Sequence, residues 1–214
     1  MENIEDNSLI KKIRLQISND RVTDAIRLVP REHFLPKEHH GSSQEDMALP
    51  IGHGQTTSQP SLIGIMLREL GIRKEDTVME VGSGSGYVCA ILSSLCDQVI
   101  GVERIRQLLY LSRLNLDKLA IENVQLRLAE QNRVPRTQKL FTKIIVSAAL
   151  RKIPYGILEQ LDQNGTLICP VGNLDIQRLI KIQKTPRGNQ ITTGQPCRFV
   201  PLIGKPGWPV RDLQ

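Results

Sequence analysis

The stretch from Thr77 to Leu95 constrains this chain more than any other. Thr77-Val78-Met79-Glu80-Val81 is a short run of strand-forming residues. Gly82-Ser83-Gly84-Ser85-Gly86 then places three glycines in five positions, and Tyr87 to Leu95 is apolar and helical in character. Strand, glycine turn and helix in that order bring a helix N-terminus to the end of a strand. The free N–H groups and partial positive charge of that terminus suit a carboxylate or a phosphate. Glycines leave no side chain between backbone and ligand. The spacing is Gly-x-Gly-x-Gly, so Gly86 arrives one residue before the third glycine of a dinucleotide fingerprint. Glu80, two residues before Gly82, suits a cofactor amino group or holds the turn. Glu103 ends the next strand 21 residues after Gly82, the distance at which an acid binds ribose hydroxyls. Its other reading is a solvated strand-end charge. Turn and acid in register favour a nucleoside-bearing cofactor.

The surrounding chain alternates strand and helix signals. Predicted strands lie at Val99–Glu103, Val124–Leu128, Lys143–Val146 and Thr166–Val171. Between them, Ile105, Leu108, Leu109, Leu116 and Leu119 share one helical face, and Ile153 to Leu161 reads as a helix closed by Asn164-Gly165. This order predicts an α/β fold with a mostly parallel sheet and helices on both faces. After residue 176 the pattern is β-like: Ile180 and Ile182 alternate with polar residues, Pro186-Arg187-Gly188-Asn189 marks a turn, and Phe199-Val200 continues the β character. An antiparallel hairpin at the sheet edge is expected. Ile10, Ile13, Ile17, Val22 and Ile26 give helix-like spacing near the N-terminus, ended by Pro30 and Pro36. Residues 37–60 read as a long polar loop, of the kind that is functional or disordered. The expected layout is an N-terminal helical extension and substrate loop over 1–60, and a core over 61–214, together one compact domain.

Composition narrows the class of function. The net charge is +6, but Lys and Arg are spread along the chain rather than gathered into a basic arm, so a nucleic-acid partner is not expected. The scattered Cys89, Cys96, Cys169 and Cys197 form no CxxC pair, and no metal site is expected. Cys89 and Cys169, among apolar neighbours, read as small core residues in a reduced, cytoplasmic protein. No apolar run approaches the ~18–20 residues of a membrane span, and the acidic start does not resemble a signal peptide.

One further stretch carries a specific pattern: Asp46-Met47-Ala48-Leu49-Pro50-Ile51-Gly52-His53-Gly54-Gln55-Thr56-Thr57-Ser58-Gln59-Pro60. It resembles the signature of protein-L-isoaspartate(D-aspartate) O-methyltransferases. Val29-Pro30-Arg31-Glu32-His33-Phe34-Leu35-Pro36 resembles the family's preceding segment, Val81 to Tyr87 its glycine loop, and Pro170-Val171-Gly172 and Arg198-Phe199-Val200-Pro201-Leu202 its late strands. The resemblance covers about residues 20–203. It implies a Rossmann-like, seven-stranded, S-adenosyl-L-methionine-dependent methyltransferase fold with antiparallel C-terminal strands. It also implies methylation of the free carboxylate of L-isoaspartyl (there the α-carboxylate) and D-aspartyl residues in damaged proteins, and the chain is expected to be a monomer. Ser58 matches the family's active-site serine. Gln55, Thr56, Thr57, Ser58, Glu80, Gly82, Ser83, Gly84, Glu103, Glu130 and Gln131 are the implied cofactor residues, and Asp46, Ile51, Arg198 and Phe199 the implied substrate residues.

The chain departs from the family pattern at four places. Ala129-Glu130-Gln131 replaces Gly-Asp-Gly, Thr142 replaces an aspartate, Gln44 replaces an aromatic residue, and Asn164-Gly165 replaces Gly-Gly. Ser58 has no nearby His–Asp pair in sequence, so it reads as a hydrogen-bond donor and not as a nucleophile. Its other reading is the N-cap of a helix starting near Pro60. His53 reads as a surface histidine, and His39-His40 lack a third metal ligand. Two alternatives remain open at this point: a methyltransferase for another carboxylate or peptide, and a non-catalytic cofactor-binding homologue.

Overall fold

The computed structural model of the chain describes residues 7–129, 135, 140–204 and 207–208. Two amphipathic helices come first, α1 (Ser8–Ile17) and α2 (Asp20–Leu28). Asn7 and Asn19 begin them, each accepting from a backbone N–H in the first turn. Their apolar stripes, Leu9-Ile10-Ile13-Ile17 and Val22-Ala25-Ile26, are buried against α3 (Pro60–Leu70) and α4 (Tyr87–Leu95). Burying each such side chain contributes about 1.5–3 kcal/mol, which ties these helices to the core.

Seven strands form the main sheet: β3 (Thr77–Val81), β4 (Gln98–Glu103), β5 (Val124–Leu128), β6 (Phe141–Val146), β7 (Leu161–Gly172), β8 (Gln177–Thr185) and β9 (Gly188–Cys197). Their order is β5-β4-β3-β6-β7-β8-β9, parallel from β5 to β7 and antiparallel at β8 and β9. Both faces of the central strands are covered. Val78, Val99, Ile145 and Ile168 face α3, α4 and α5 (Arg106–Lys118) on one side, with α1 and α2 packed outside α3 and α4. Met79, Ile100, Ile144 and Leu167 meet α6 (Tyr155–Leu158) on the other. That alternation is the period-two side-chain pattern of a doubly covered sheet.

Three segments differ from the sequence expectation. Residues 37–60 are not simply a loop. They hold a 3-10 turn at Lys37–Ser42 and a hairpin of β1 (Leu49–Gly52) and β2 (Gln55–Thr57). His53 and Gly54 both have positive φ, 54° and 68°, as the tight turn of a hairpin requires. The helix expected over 153–161 is one turn at Tyr155–Leu158, and Leu161 already belongs to β7. Asn164, at φ 62°, sits in a bulge where β7 has more residues than β6. The last strand is Gly188–Cys197, whereas Phe199 and Val200 lie beyond it. No helix among the described residues is long and apolar enough to cross a membrane.

Candidate active site

Strand β3 has β4 on one side and β6 on the other, so the chain turns in opposite directions from its two neighbours. Such a switch point opens a crevice beyond the carboxyl ends of the strands. The glycine turn occupies it. Gly82, Gly84 and Gly86 have φ of 87°, 54° and 93°. A Cβ on Gly84 would stand 2.9 Å from Ile51 Cδ1, so the turn and the β1–β2 hairpin close on each other. Gly82 N–H donates to Val102 O at 2.8 Å, which fixes the turn to β4.

A cleft runs along this crevice, lined by Ile51, Gln55, Thr56, Gly82, Gly84 and Glu103 among others. Glu103 is buried, and its carboxylate is held by three backbone donors: Gly84 N–H at 3.0 Å, Arg104 N–H at 2.8 Å and Ile105 N–H at 2.9 Å. Each carboxylate oxygen has further lone pairs, so Glu103 can also accept from ribose hydroxyls. A smaller recess continues past the turn, lined by Thr57, Ser58, Glu80, Ser83 and Ser85. Ser83 Oγ is buried there without a partner among the described residues.

Glu80 lies beneath this recess, fully covered. It accepts from Ser147 Oγ at 2.7 Å and Cys89 Sγ at 2.9 Å. Burial pushes its carboxyl up to about 7, the two hydrogen bonds pull it down, and the Glu103 charge pushes it up. Burial and then the Glu80 carboxylate push the Cys89 thiol up, so it stays protonated and donates.

The third opening is a groove lined by Gln16, Ala48, Ser58, Leu174, Arg198 and Phe199 among others. Thr56 and Ser147 line the cleft, the recess and the groove alike, and Ser58 lines the recess and the groove. The three openings therefore meet at these side chains.

Sequence-derived residues fall around this meeting point as follows. Gln55, Thr56, Thr57, Ser58, Glu80, Gly82, Ser83, Gly84, Glu103 and Ile51 line the cleft or the recess. Arg198, exposed, and Phe199, buried, line the groove. Asp46 sits at the start of α3, accepting from Ser61 N–H at 2.9 Å and Gln59 Nε2 at 3.1 Å and pairing with Lys12 Nζ at 2.7 Å. Burial raises its pKa, but these hydrogen bonds outweigh burial and bring it below the usual value. Asp46 thus satisfies the N–H that Ser58 would have capped. The N-cap position itself is Gln59, which makes no side-chain cap. That leaves the Ser58 hydroxyl out of the helix start. Glu130 and Gln131 lie outside the described residues. Of the family departures, Thr142 Oγ1 accepts from Thr77 N–H and donates to Thr77 O, bracing β6 against β3. Asn164 takes the left-handed conformation that the Gly-Gly pair would supply.

Two residues were missed from sequence. Ser147 follows β6 at the switch point, a position the strand-end rule marks. Arg31 is a buried guanidinium within the Val29–Pro36 segment. Burial lowers its pKa, against the favourable charges of Tyr87 and Asp46. Among the described residues, no group of three His, Cys, Asp or Glu could hold a metal ion.

The donor set fits S-adenosyl-L-methionine. A glycine cradle, a buried carboxylate held by the turn, and an orphaned buried hydroxyl line one narrow path. Comparison with known proteins agrees. The profile of the family described as Protein-L-isoaspartate(D-aspartate) O-methyltransferase (PCMT) matches residues 4–207. A protein-L-isoaspartate O-methyltransferase of Klebsiella pneumoniae is 42% identical over 199 residues, covering 92% of this chain and 94% of its own. One from Methanoculleus marisnigri is 38% identical over 193 residues, covering 90% and 87%. A Plasmodium falciparum protein-L-isoaspartate O-methyltransferase, solved with S-adenosyl-L-homocysteine, superposes with a TM-score of 0.81 at 26% identity, covering 93% of this chain and 99% of its own. Another solved protein-L-isoaspartate O-methyltransferase gives 0.81 at 25% identity over 92% of this chain, which spans 65% of that longer protein. The chain belongs to the protein-L-isoaspartate(D-aspartate) O-methyltransferase family.

Proposed function

We infer that this chain transfers the methyl group of S-adenosyl-L-methionine to the free carboxylate of damaged aspartyl residues in polypeptides, the α-carboxylate of L-isoaspartyl and the side-chain carboxylate of D-aspartyl residues, the first step of their repair. The observation that carries the reading is the junction at Thr56 and Ser147, with Ser58 beside it, where the cleft and its recess along the glycine turn open into a larger groove on the protein surface. In an isoaspartyl residue the main chain runs through the side-chain carboxyl, so the α-carboxylate projects free. A carboxylate entering the groove meets Ser58 and the exposed Arg198.

When bound, the cofactor supplies an electrophilic methyl group on a sulfonium that leaves as a neutral thioether. A carboxylate is already a nucleophile, so the protein's task is placement. Holding reacting groups in line at about 3–3.5 Å is worth up to ~7–11 kcal/mol in favourable cases. The Ser58 hydroxyl donates a hydrogen bond that aims the carboxylate. Glu103, held by three N–H groups, fixes the ribose, and Ile51 covers the turn at Gly84. The neighbouring backbone nitrogen then attacks the methyl ester and expels methanol to close a succinimide, which water reopens in part to normal aspartate.

The same reading takes the chain to act as a monomer, in the cytoplasm, on polypeptides and not on nucleic acid or membranes. Its dispersed positive charge speaks against nucleic acid, and its free cysteines fit a reducing compartment. The test is methyl incorporation from labelled cofactor into an isoaspartyl peptide and its aspartyl twin. The reading expects base-labile label on the first alone. Label on neither peptide sinks it, and label elsewhere on the chain moves the substrate to another carboxylate.

A further inference from the structure

The β1–β2 hairpin carries Ile51, Gln55, Thr56 and Thr57 into the junction, and Ser58 follows it directly. Its body rests on Leu35 and on Leu108 of α5 through Leu49 and Ile51. Its base is held differently. Arg31 Nη2 donates to Met47 O at 2.7 Å and to Ser58 O at 3.2 Å, the residues that flank the hairpin's two ends. Nη1 donates to Glu45 O at 2.9 Å and to Ser43 O at 3.4 Å on the segment leading in. One buried guanidinium thus gathers four carbonyls from chain positions up to 27 residues away. A planar fork with several fixed donors can do this, and a point-charge ammonium cannot match it.

We propose that Arg31 is a positioning residue: it clasps the base of the β1–β2 hairpin, sets the hairpin against the glycine turn, and so holds Ser58 where the cofactor cleft meets the peptide groove. Arg31 does not line any of the three openings, so it acts through the hairpin. Asp46 anchors the next residues of the same path, at Gln59 and Ser61, which confines the free play to residues 47–58. Without the clasp, the hairpin keeps its apolar contacts and its own ladder but loses the bonds that tie Met47 and Ser58, just outside that ladder, to one fixed point in the core. The consequence for turnover rests on the methyl-transfer reading, whereas the consequence for the hairpin does not.

The experiment compares the full chain with Arg31→Lys and Arg31→Met by backbone amide hydrogen exchange without ligand, then by turnover on an isoaspartyl peptide. Hydrogen bonds from a charged donor are strong enough that exchange across residues 49–57 should rise about 10- to 100-fold. Exchange in β3, β4 and β6 should stay unchanged. Turnover should fall in both variants, with Arg31→Lys recovering part of it because an ammonium still serves some of the carbonyls. Unchanged hairpin exchange overturns the proposal. So does acceleration spread evenly over hairpin and sheet, which makes Arg31 a general core strut. Arg31→Lys keeps a donor in place and carries the test where Arg31→Met fails to fold. If the parent chain proves inactive on the peptide, the function reading fails while the exchange result still decides the clasp.

Discussion

Replacing Glu103 by glutamine tests the cofactor assignment with the smallest change in shape. The carboxylate accepts at both oxygens: Oε2 from Gly84 N–H, and Oε1 from Arg104 and Ile105 N–H. An amide has one acceptor oxygen, and its NH₂ cannot accept. The oxygen should turn to the Arg104–Ile105 pair, where it satisfies two donors. The NH₂ then faces Gly84 N–H, donor against donor, at the middle of the glycine turn. One hydrogen bond to a charged acceptor is lost inside the cradle, and the ribose loses a charged acceptor. Each such bond is worth about 1.5–3 kcal/mol. A single loss therefore corresponds to roughly 10- to 150-fold weaker binding, at 1.4 kcal/mol per tenfold. The assay is calorimetric titration with S-adenosyl-L-homocysteine, alongside a thermal melt to show that the variant is folded. A folded Glu103→Gln protein binding within twofold of the parent would refute the ribose assignment.

Other expectations follow from the same geometry. Ser58→Ala should lower kcat on an isoaspartyl peptide about 10- to 100-fold, the worth of one hydrogen bond to a charged group, and leave cofactor affinity nearly unchanged. Equal loss of both would make the hydroxyl a cofactor contact. Glu80 enters the fold with its carboxyl raised from 4.5 to about 7, so between those pH values the native state holds a proton that the unfolded chain releases. Its presence therefore costs stability increasingly as pH rises from about 4.5 to 7 and no further above. Relative to the parent, Glu80→Gln should gain stability across that window by at most about 3 kcal/mol, and urea melts at pH 5 and 8 read the change. A constant difference between the two pH values would show that Glu80 titrates normally. Gly86 lies at φ 93°, and a Cβ there would stand 2.4 Å from Ser112 Oγ and 3.3 Å from its Cβ. Gly86→Ala should lose about 1–3 kcal/mol in a denaturant melt, and an unchanged midpoint would contradict the strain.

Much of this layout was legible because local pattern and tertiary role agree. Thr77–Val81, Tyr87–Leu95 and Val124–Leu128 lie where the sequence places them. Each is bounded by a glycine, a polar residue or a change of period. The hairpin at 49–57 was not legible. Only Leu49 and Ile51 face inward in β1, Pro50 interrupts the run, and Gly52-His53-Gly54 reads equally as a loop. Ile153, Ile157, Leu158 and Leu161 have helical spacing, yet Leu161 pairs with Phe141 in the sheet. Strand β9 shows no apolar period because it is an edge strand, exposed along nearly its whole length. Phe199 looked like a strand residue because it is apolar and buried. Its N–H instead goes to Gln177 Oε1 at 2.8 Å, across 22 residues. Asp46, Arg31 and Ser147 likewise act on partners 12 to 67 residues away, and no short window shows such contacts. The glycine turn and Glu103 were visible from spacing, whereas the contacts that Arg31, Asp46 and Ser147 make around the junction were visible only in three dimensions.

The central claim is that the methyl group goes to the free carboxylate of an isoaspartyl residue and so returns the chain toward normal aspartate. The most direct measurement follows one isoaspartyl peptide through repeated rounds of incubation with the protein and S-adenosyl-L-methionine, separating the two isomers by chromatography. The account predicts that the isoaspartyl peak declines while the aspartyl peak grows, only when the cofactor is present. An isoaspartyl pool that stays constant over many rounds, with the protein folded and the cofactor bound, would contradict it.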